Sequence, residues 1–415
     1  MASSGGAESD PVRGLSAPRL RDEIDEVGGA GGAGKRLLIG THRVVSTDGQ
    51  GRVNMKVAEA AVAAGWDVTV LADEMDAGLA GREGVVFERV PASRVPAQMV
   101  KQSVYGRRLR AAVRRRRAGR LVLLNGDIAG GEPADVNAAH FVHTAYLKYC
   151  DGTGLRGAYR RAYHRLRAKG ERAAFAAAGG VVAVSDRVRQ ELVEDVGVPG
   201  DRVVVIPNGV DPEEFRPLEP GEARPLRDEV GCGEGGLLAM FVGDLRSPRK
   251  GFGTVLRALA EVQGVWLVAV GGHESGPFPA MAEELGVSDR VWFLGRRSDV
   301  SGLLRQADVM PFPSAYEPFG LVVSEAMASG VPVVCGPEVG AGGLIREGGM
   351  KLRGHDDVAG LASALAGLRD DPARLERMRW AARDEVMGAT WGAMGQAYVE
   401  LLERCYLGRV DGGVT

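Results

Sequence analysis

Two glutamates, Glu317 and Glu325, stand eight residues apart on either side of the sequence Pro-Phe-Gly. Carboxylates bind sugar hydroxyls, and the first backbone N–H groups of a helix beginning near Gly320 would favour an anion such as phosphate. The pattern therefore favours a phosphorylated, polyhydroxylated ligand. The alternative is an ordinary junction between a loop and a helix that carries two solvated glutamates.

The elements around these glutamates are predicted from proline, glycine and apolar spacing. Prolines at 311, 313 and 318 predict an irregular loop. From Leu321 the apolar spacing predicts a short buried helix that Gly330 closes, and Val331 begins the next strand. One glutamate then lies in the loop that faces the helix N-terminus, and the other lies just over one turn into the helix.

The same stretch resembles a known family signature. Glu317-Pro-Phe-Gly, Glu325-Ala and Gly330-Val-Pro-Val-Val look like the signature of the retaining nucleotide-sugar glycosyltransferases of family 4, which have the GT-B fold. The resemblance implies that Glu325 binds the ribose of the donor and that Glu317 contacts its sugar ring. It also implies donor contacts from the junction residues Phe319, Gly320, Leu321 and Val322.

A second group of candidate residues follows the apolar run Leu237–Val242, which predicts a strand ending at Gly243. The loop after it carries Arg246, Arg249 and Lys250, cations that would balance a diphosphate. The resemblance places Lys250 at the family's donor-binding lysine. The family's usual arginine position holds Asp244, so either Arg246 or Arg249 substitutes, or the site has one cation fewer. The alternative is a solvated basic loop.

Other candidate residues are assigned mainly through the resemblance. Gly49 and Gly51, in a polar loop predicted before a helix from about residue 53, would allow a close backbone approach to the donor. His143 would lie near the donor sugar, with His140 as the alternative register and a structural histidine as the alternative role. Arg297 follows a predicted strand in the neighbourhood expected to hold the nucleotide base.

Two stretches, residues 107–117 and 155–172, are strongly basic and predict helices. They would suit an acidic acceptor or an anionic membrane surface, although two solvated helix faces are the favoured interpretation. Nucleic-acid binding is disfavoured because no recognised reader motif accompanies the charge.

Composition sets broad limits on the protein. The chain has 415 residues, is 45% hydrophobic and 26% charged, and carries a formal net charge of -2. These values are typical of a two-domain globular protein and give no global field that would attract nucleic acid. The four cysteines show no metal-binding spacing, and the sequence shows neither a transmembrane stretch nor a secretory signal. We therefore expect a cytoplasmic protein.

The order of predicted elements gives the fold class. Strands alternate with helices in two successive sets, which predicts an α/β protein with the GT-B architecture: two doubly wound Rossmann-like domains facing a central cleft. We expect a disordered leader over residues 1–34, an acceptor-side domain over 35–206 and a nucleotide-sugar-binding domain over 207–388. Residues 389–415 should form a helix that returns to the first domain.

The resemblance supplies the expected reaction. It implies a retaining transfer of a sugar from a UDP- or GDP-linked donor, with no cofactor, to an acceptor that we expect to be a small natural product. We expect the transfer to be metal-independent because no D-x-D pair occurs where it would bridge a diphosphate. The mechanism favoured is attack on the same face from which the diphosphate departs, because no second carboxylate pair marks a nucleophile. Alternatives are a lipid or polysaccharide acceptor at the membrane surface, an epimerase or phosphorylase of the same fold, and a non-catalytic partner subunit. An unrelated dinucleotide-binding oxidoreductase is disfavoured because residues 36–71 lack G-x-G-x-x-G directly after the strand.

Overall fold

The computed structural model describes residues 34–92, 95, 97–150, 154–272 and 276–411. All of the predicted leader except its last residue, Gly34, lies outside the described residues. The chain divides into two units. Unit 1 comprises the described residues up to Ile206 and those from Gly395 onward, and unit 2 comprises Pro207–Met394. The prediction placed divisions after residues 206 and 388.

Unit 1 is built on a parallel sheet whose order is β5-β3-β1-β6-β7-β8-β9. Its apolar strands are buried on both faces by helices, as expected of a parallel sheet. The strands of unit 1, including the small β2–β4 pair, are β1 (Arg36–Gly40), β2 (Arg43–Val44), β3 (Asp67–Ala72), β4 (Glu74–Met75), β5 (Val85–Arg89), β6 (Leu121–Asn125), β7 (Ala134–Ala139), β8 (Ala178–Ala183) and β9 (Val203–Val205).

The helices of unit 1 follow its strands along the chain. They are α1 (Gly49–Ala63), α2 (Ala77–Ala80), α3 (Gln98–Arg116), α4 (His143–Tyr146), α5 (Gly154–Ala176) and α6 (Asp186–Glu191). The basic stretches lie on α3 and α5, as predicted. Part of the charge on α3 is neutralised within the unit: Arg114 and Arg117 both pair with the buried Glu132, at 2.7 and 3.0 Å.

Six strands and seven α-helices lie wholly within the described residues of unit 2. The strands are β10 (Leu237–Val242), β11 (Val265–Val270), β12 (Val291–Gly295), β13 (Met310–Phe312), β14 (Val333–Cys335) and β15 (Gly349–Lys351). The helices are α7 (Pro225–Glu229), α8 (Phe252–Ala260), α9 (Phe278–Glu284), α10 (Val300–Leu304), α11 (Leu321–Ala328), α12 (Val358–Asp370) and α13 (Pro372–Val386).

The strands of unit 2 form two parallel groups, β10-β11-β12 and β13-β14-β15. A parallel bridge between Ala239 and Val309 joins them, so the complete order is β12-β11-β10-β13-β14-β15. The direction of the strand order reverses between β10 and β13. In doubly wound sheets, ligands bind beside the carboxyl ends of the strands at this reversal.

The last helix, α14 (Trp391–Asp411), packs on unit 1 from Gly395 onward. Glu403 accepts a 2.7 Å hydrogen bond from Lys35, and Tyr406 meets Trp66 edge-on with ring centroids 5.7 Å apart. These contacts tie the end of the chain to the first strands of the sheet.

Two local predictions were wrong. Gly49 and Gly51 lie in the first turn of α1 and not in a loop, because Asp48 caps the helix and accepts a 2.6 Å hydrogen bond from the Gly51 N–H. Pro311 lies within β13 and not in irregular backbone. A proline can occupy this short strand because bonds on both of its sides use other amides: the Met310 N–H donates to the Pro332 carbonyl just before β14, and the Met240 N–H of β10 donates to the Val309 carbonyl.

The core of unit 2 contains a buried carboxylate shared by three arginines. Asp308 is 5% exposed and pairs with Arg224 at 2.7 Å, with Arg227 at 2.6 Å and with Arg379 at 3.5 Å. It also accepts a 2.8 Å hydrogen bond from the Leu238 N–H at the start of β10. The carboxylate therefore ties α7 and α13 to the centre of the sheet.

Asp308→Asn should destabilise the protein, because it leaves three partly buried guanidinium groups without their anion. The expected loss is about 3–5 kcal/mol in the free energy of unfolding, measured by urea denaturation. The matched control is Asp370→Asn, since Asp370 pairs with Arg369 at an exposed position and should contribute little. Equal stability of the two variants would contradict the role given to Asp308.

Candidate active site

The predicted donor residues of unit 2 lie on two loops at the reversal of its strand order. One loop follows β10 and ends at Gly251, and the other follows β13 and ends at Gly320. Because β10 and β13 are parallel neighbours, both loops leave the same edge of the sheet. The Ala315 N–H donates to the Arg249 carbonyl at 2.8 Å, and the Ser314 hydroxyl donates to the same oxygen at 3.1 Å. The loops are therefore bonded directly to each other.

Glu317 is held firmly by its backbone. Its N–H donates to the Glu338 carbonyl at 2.9 Å, and its carbonyl accepts from the Gly340 N–H at 2.9 Å. These two bonds extend the β13–β14 pairing into the loop. The side chain is only 15% exposed, and its carboxylate contacts the Lys250 ammonium group. The position of the acid is thus fixed before any ligand binds.

Lys250 lies at the end of a short 3-10 turn, Pro248–Lys250. Its ammonium group lies 5.4 Å from the centre of the Phe312 ring, and its side chain is 16% exposed. Gly251 follows with φ 78°, and a side chain there would collide with the Pro313 carbonyl. The Lys-Gly pair thus combines a cation with the only residue type that permits this close approach of the two loops.

The structure places the two candidate arginines differently. Arg249 lies beside the ion pair: its guanidinium group donates to the Tyr316 carbonyl and is 3.6 Å from the Glu317 carboxylate. Arg246 instead forms two hydrogen bonds, of 2.8 and 2.9 Å, with Asp244, and these bonds hold the pKa of Asp244 below its usual range. Of the two, Arg249 is therefore the one that joins Lys250 and Glu317.

Helix α11 begins as the sequence predicted. Gly320 precedes it with φ 95°, a conformation that favours glycine, and Leu321 and Val322 are half-buried in its first turn. Phe319 is 4% exposed, and its carbonyl accepts a hydrogen bond from the Ala341 N–H at 2.7 Å. Phe319 therefore supports the loop from within the core. Glu325 is half-buried one turn into the helix.

Of the other predicted donor residues, Gly243 lies beside this cluster and the rest lie elsewhere. Gly243 follows β10, and a side chain there would approach the Lys250 side chain at 3.9 Å. Arg297 is held by Asp299 through hydrogen bonds of 2.8 and 2.7 Å at an exposed position. Gly49 and Gly51 belong to unit 1.

His143 of unit 1 is the first residue of α4 and lies in a polar cluster. Its Nδ1 atom is 2.9 Å from Nδ1 of His164 on α5. Its backbone N–H donates to the Glu171 carboxylate at 2.5 Å, and the N–H and hydroxyl of Thr144 donate to the same carboxylate at 2.9 and 3.0 Å. By contrast, the buried Nε2 atom of His140 has no hydrogen-bond partner in the described part of the chain.

Sequence reasoning missed His164, Glu171 and Arg167, all of which lie on α5. Arg167 pairs with Asp127, at the end of β6, at 2.5 Å. A signal was present in the sequence, because residues 164, 167 and 171 share one face of a helix at spacings of three and four. It was hidden within a stretch whose arginines suggested a solvated basic surface.

Burial shifts the pKa values of this cluster. It lowers the pKa of His143 to about 2 and that of His164 to about 4, with the Arg167 charge contributing in both cases. It raises the pKa of Glu171 to about 7, against three hydrogen bonds that favour the carboxylate, and raises that of Asp127 to about 6. Both histidines are therefore neutral at pH 7 and act as hydrogen-bonding groups.

A cavity of about 200 Å³ also opens beside the carboxyl ends of β1 and β3. It is lined by polar and aromatic side chains: His42, Arg43, Asp73, Gln98, Lys101, Gln102 and Tyr105. Among the described residues, no group of three histidines, cysteines or carboxylates could hold a metal ion. No described helix has both the length and the apolar character needed to span a membrane.

Two family models match adjacent parts of the chain. Glycosyltransferase Family 4 matches residues 47–214, and Glycosyl transferases group 1 matches residues 224–385. The chain belongs to the group 1 glycosyltransferases of family 4. The match confirms the family indicated by Glu317-Pro-Phe-Gly and Glu325-Ala, and it places Lys250, Glu317 and Glu325 within the group 1 region.

Curated relatives in this family are named D-inositol 3-phosphate glycosyltransferase. The protein from Nocardia farcinica is 33% identical over 247 residues, covering 56% of this chain and 54% of the relative. The protein from Thermomonospora curvata is 34% identical over 267 residues, covering 59% of this chain and 61% of the relative. The chain thus matches between about half and three fifths of the length of these relatives.

Solved structures confirm the GT-B fold of this family member. Sucrose-phosphate synthase from Thermosynechococcus elongatus superposes with a TM-score of 0.75 at 22% identity, covering 90% of this chain and all of that chain. Anabaena HepE, solved in complex with UDP-glucose, superposes with a TM-score of 0.68 at 20% identity, covering 89% and 99%. At these sequence identities, the structural similarity is evidence of a shared fold only.

Glu171→Gln should destabilise the protein, because one acceptor oxygen is replaced by a donor that faces a backbone N–H. The expected loss at pH 8 is about 1–3 kcal/mol in the free energy of unfolding. The loss should increase toward pH 5. The native wild type holds the Glu171 proton up to about pH 7, whereas the unfolded chain releases it near pH 4.5, so this contribution to wild-type stability is present at low pH and lost as the pH rises.

The measurement is urea denaturation of both proteins at pH 5 and pH 8. Asp127 titrates in both proteins, so it contributes about equally to the pH dependence of their free energies of unfolding. The exposed Glu83→Gln is the matched control and should show no such pH-dependent difference. If the loss in the free energy of unfolding caused by Glu171→Gln is the same at pH 5 and pH 8, the claim that burial raises the pKa of Glu171 is contradicted.

Proposed function

We propose that this protein transfers a sugar from a nucleoside diphosphate sugar to an acceptor, with retention of configuration at the anomeric carbon. The observation that carries the proposal is the cluster of Lys250, Arg249 and Glu317 beside the N-terminus of α11. Two cations and one carboxylate leave a net positive site, which suits a diphosphate that gains charge as the glycosidic bond breaks.

Each residue of the site would have a separate role. Lys250, Arg249 and the amides at the start of α11 would stabilise the departing diphosphate. Glu317 would contact the donor sugar, where its negative charge favours an oxocarbenium-like centre. Glu325 would bind the ribose hydroxyls. The ion pair between Lys250 and Glu317 keeps both side chains in place until the diphosphate competes for the lysine.

Retention would follow from attack by the acceptor on the face from which the diphosphate leaves, with a phosphate oxygen accepting the proton of the acceptor hydroxyl. This route needs no enzyme nucleophile. No metal ion is required by it either, because Lys250 and Arg249 supply positive charge to the leaving group.

The acceptor we propose is a small polyol that carries an anionic group. Relatives named for D-inositol 3-phosphate support this class. So does the 200 Å³ cavity of unit 1, where Arg43 and Lys101 provide positive charge and Asp73 and Gln98 can bind hydroxyls.

A second candidate, transfer to a lipid-linked acceptor at a membrane surface, is favoured by one observation on α5. Leu155 is 91% exposed, and Tyr159 and Leu166 are 47% and 49% exposed on the same face of this basic helix. Co-sedimentation with vesicles of anionic phospholipid separates the candidates. Binding that is lost when Leu155 and Leu166 become serine would favour the membrane acceptor.

Donor binding can be tested by thermal shift with UDP-glucose and GDP-mannose, because a ligand that binds only the folded state raises its stability. One donor should raise the Tm of the wild type, and Glu325→Ala should abolish most of the rise. The matched control, Glu284→Ala on the exposed end of α9, should keep it. An equal rise in Glu325→Ala and the wild type would remove Glu325 from the donor site.

Catalysis can be tested with Lys250→Met and Glu317→Gln. Each should lower kcat by about 10²–10³-fold, since each removes charge that acts at the reacting centre. The assay is release of the nucleoside diphosphate in the presence of D-inositol 3-phosphate. Lys351→Met, an exposed lysine of unit 2, is the control and should keep the wild-type kcat.

The stereochemical part of the proposal has its own measurement. The one-bond carbon–proton coupling constant at the anomeric carbon of the product, read by NMR, should match that of the α-linked donor. An inverted product would refute same-face attack while leaving glycosyl transfer intact. Activity should also survive EDTA, and its loss with recovery on adding Mg²⁺ would refute metal independence.

A further inference from the structure

We propose that His164 is a positioning residue for His143: it fixes the tautomer and the ring orientation of His143 and so determines what His143 offers to a ligand. This inference rests on the proposed function and on the expectation, drawn from the family resemblance, that His143 serves the sugar transfer. The observation that carries it is the 2.9 Å separation of the two Nδ1 atoms.

That separation restricts the protons of the pair. Two ring nitrogens at hydrogen-bond distance cannot both carry a proton and cannot both be bare, because one must donate and the other accept. A neutral ring carries a proton on only one of its two nitrogens, so the presence or absence of a proton on Nδ1 determines whether Nε2 carries one. His143 then presents Nε2 as its available ring nitrogen, and its protonation follows from the hydrogen bond to His164: Nε2 carries the proton when Nδ1 accepts from His164 and is bare when Nδ1 donates to it.

The backbone of His143 is fixed by the same helix that carries His164. Glu171 lies seven residues after His164 on α5 and accepts hydrogen bonds from the backbone N–H groups of His143 and Thr144, at 2.5 and 2.9 Å. One helix thus holds the main chain of His143 through a carboxylate and its ring through an imidazole. A shift of α5 would move both contacts together.

Aromatic rings enclose the pair and limit rotation. The Phe141 ring lies 4.8 Å from the His143 ring, and the Tyr146 ring lies 4.6 Å from the His164 ring, measured between centroids. Tyr163 meets both histidines edge-on, at 6.1 and 5.1 Å. Turning the His143 ring would break its hydrogen bond and displace these neighbours.

The charges around the pair favour its neutral form. Arg160 and Arg167 on α5 act on the histidines as cations, while Asp127 is paired with Arg167, and Glu171 is occupied by its three donors from α4. Tyr163 is the remaining titratable neighbour on α5, and burial raises its pKa. At neutral pH the histidine pair therefore exchanges one hydrogen bond and carries no charge.

Two variants separate positioning from packing. His164→Phe keeps an aromatic ring but cannot hydrogen-bond to His143. His164→Asn loses the ring but places an amide near the Nδ1 position, where it can donate or accept. With the donor identified by thermal shift, we expect His164→Phe to lower kcat by about 10–100-fold with a small change in the KM for the donor. His164→Asn should recover most of the activity.

The pH profile gives a readout that packing alone would not change. Without His164, the His143 ring loses both a hydrogen-bond partner and a neighbouring imidazole whose charge opposes its protonation. The acid limb of the kcat profile should therefore move to higher pH in His164→Phe. Equal kcat values in the wild type and both variants would overturn the proposal. It would also be overturned if His164→Phe and His164→Asn lost the same amount of activity and both had a lower Tm than the wild type.

A second measurement is independent of catalysis. In protein labelled with ¹⁵N-histidine, two-bond proton–nitrogen spectra report the protonation of each ring nitrogen, and His143→Gln identifies the signals of His143. The Nδ1 signal of His143 should shift in His164→Phe. An unchanged signal overturns the positioning role, even if sugar transfer is confirmed. A shifted signal in a protein that transfers no sugar would instead locate the failure in the proposed function.

Discussion

The loops that follow β10 and β13 meet because their strands are parallel neighbours in the sheet of unit 2. Parallel strands send their next loops out of the same edge, and the reversal of strand order directs the two helical connections to opposite faces. In folds of this kind, ligands bind outside the carboxyl ends of the strands at such a reversal. Lys250 lies on one loop and Glu317 on the other. Lys250 and Glu317 are far apart in the sequence, and they are in contact because β10 and β13 pair.

In the proposed function, the ion pair between these residues prepares the site for a ligand more than it stabilises the protein. Both side chains are about 15% exposed, so the attraction between them is offset by the cost of removing two charges from water. The adjacent Arg249 leaves the group with one excess positive charge. In the proposed function a diphosphate would balance that charge, and backbone hydrogen bonds already fix the geometry of the two loops.

Unit 1 concentrates several positioning contacts on α5. Arg167 neutralises Asp127 at the end of β6, Glu171 binds the first amides of α4, and His164 contacts His143. The buried face of this helix combines Glu171 with the apolar residues Ala174 and Phe175, while its outer face carries arginines and exposed apolar residues. A basic sequence stretch thus contains both a buried hydrogen-bonding site and a solvent-facing surface.

The sequence by itself determined the α/β class, most strands, the family and the loop–helix junction at Glu317-Pro-Phe-Gly, because apolar runs, glycines and prolines act through local backbone preferences. Helix α1 began earlier than predicted since the Asp48 cap outweighs two glycines. Tertiary structure decided which arginine joins the cluster: Asp244 holds Arg246, and Arg249 reaches Glu317. It also decided that His143 meets His164 and Glu171. Such contacts join residues distant along the chain, and only the packing of strands and helices brings them within hydrogen-bond distance.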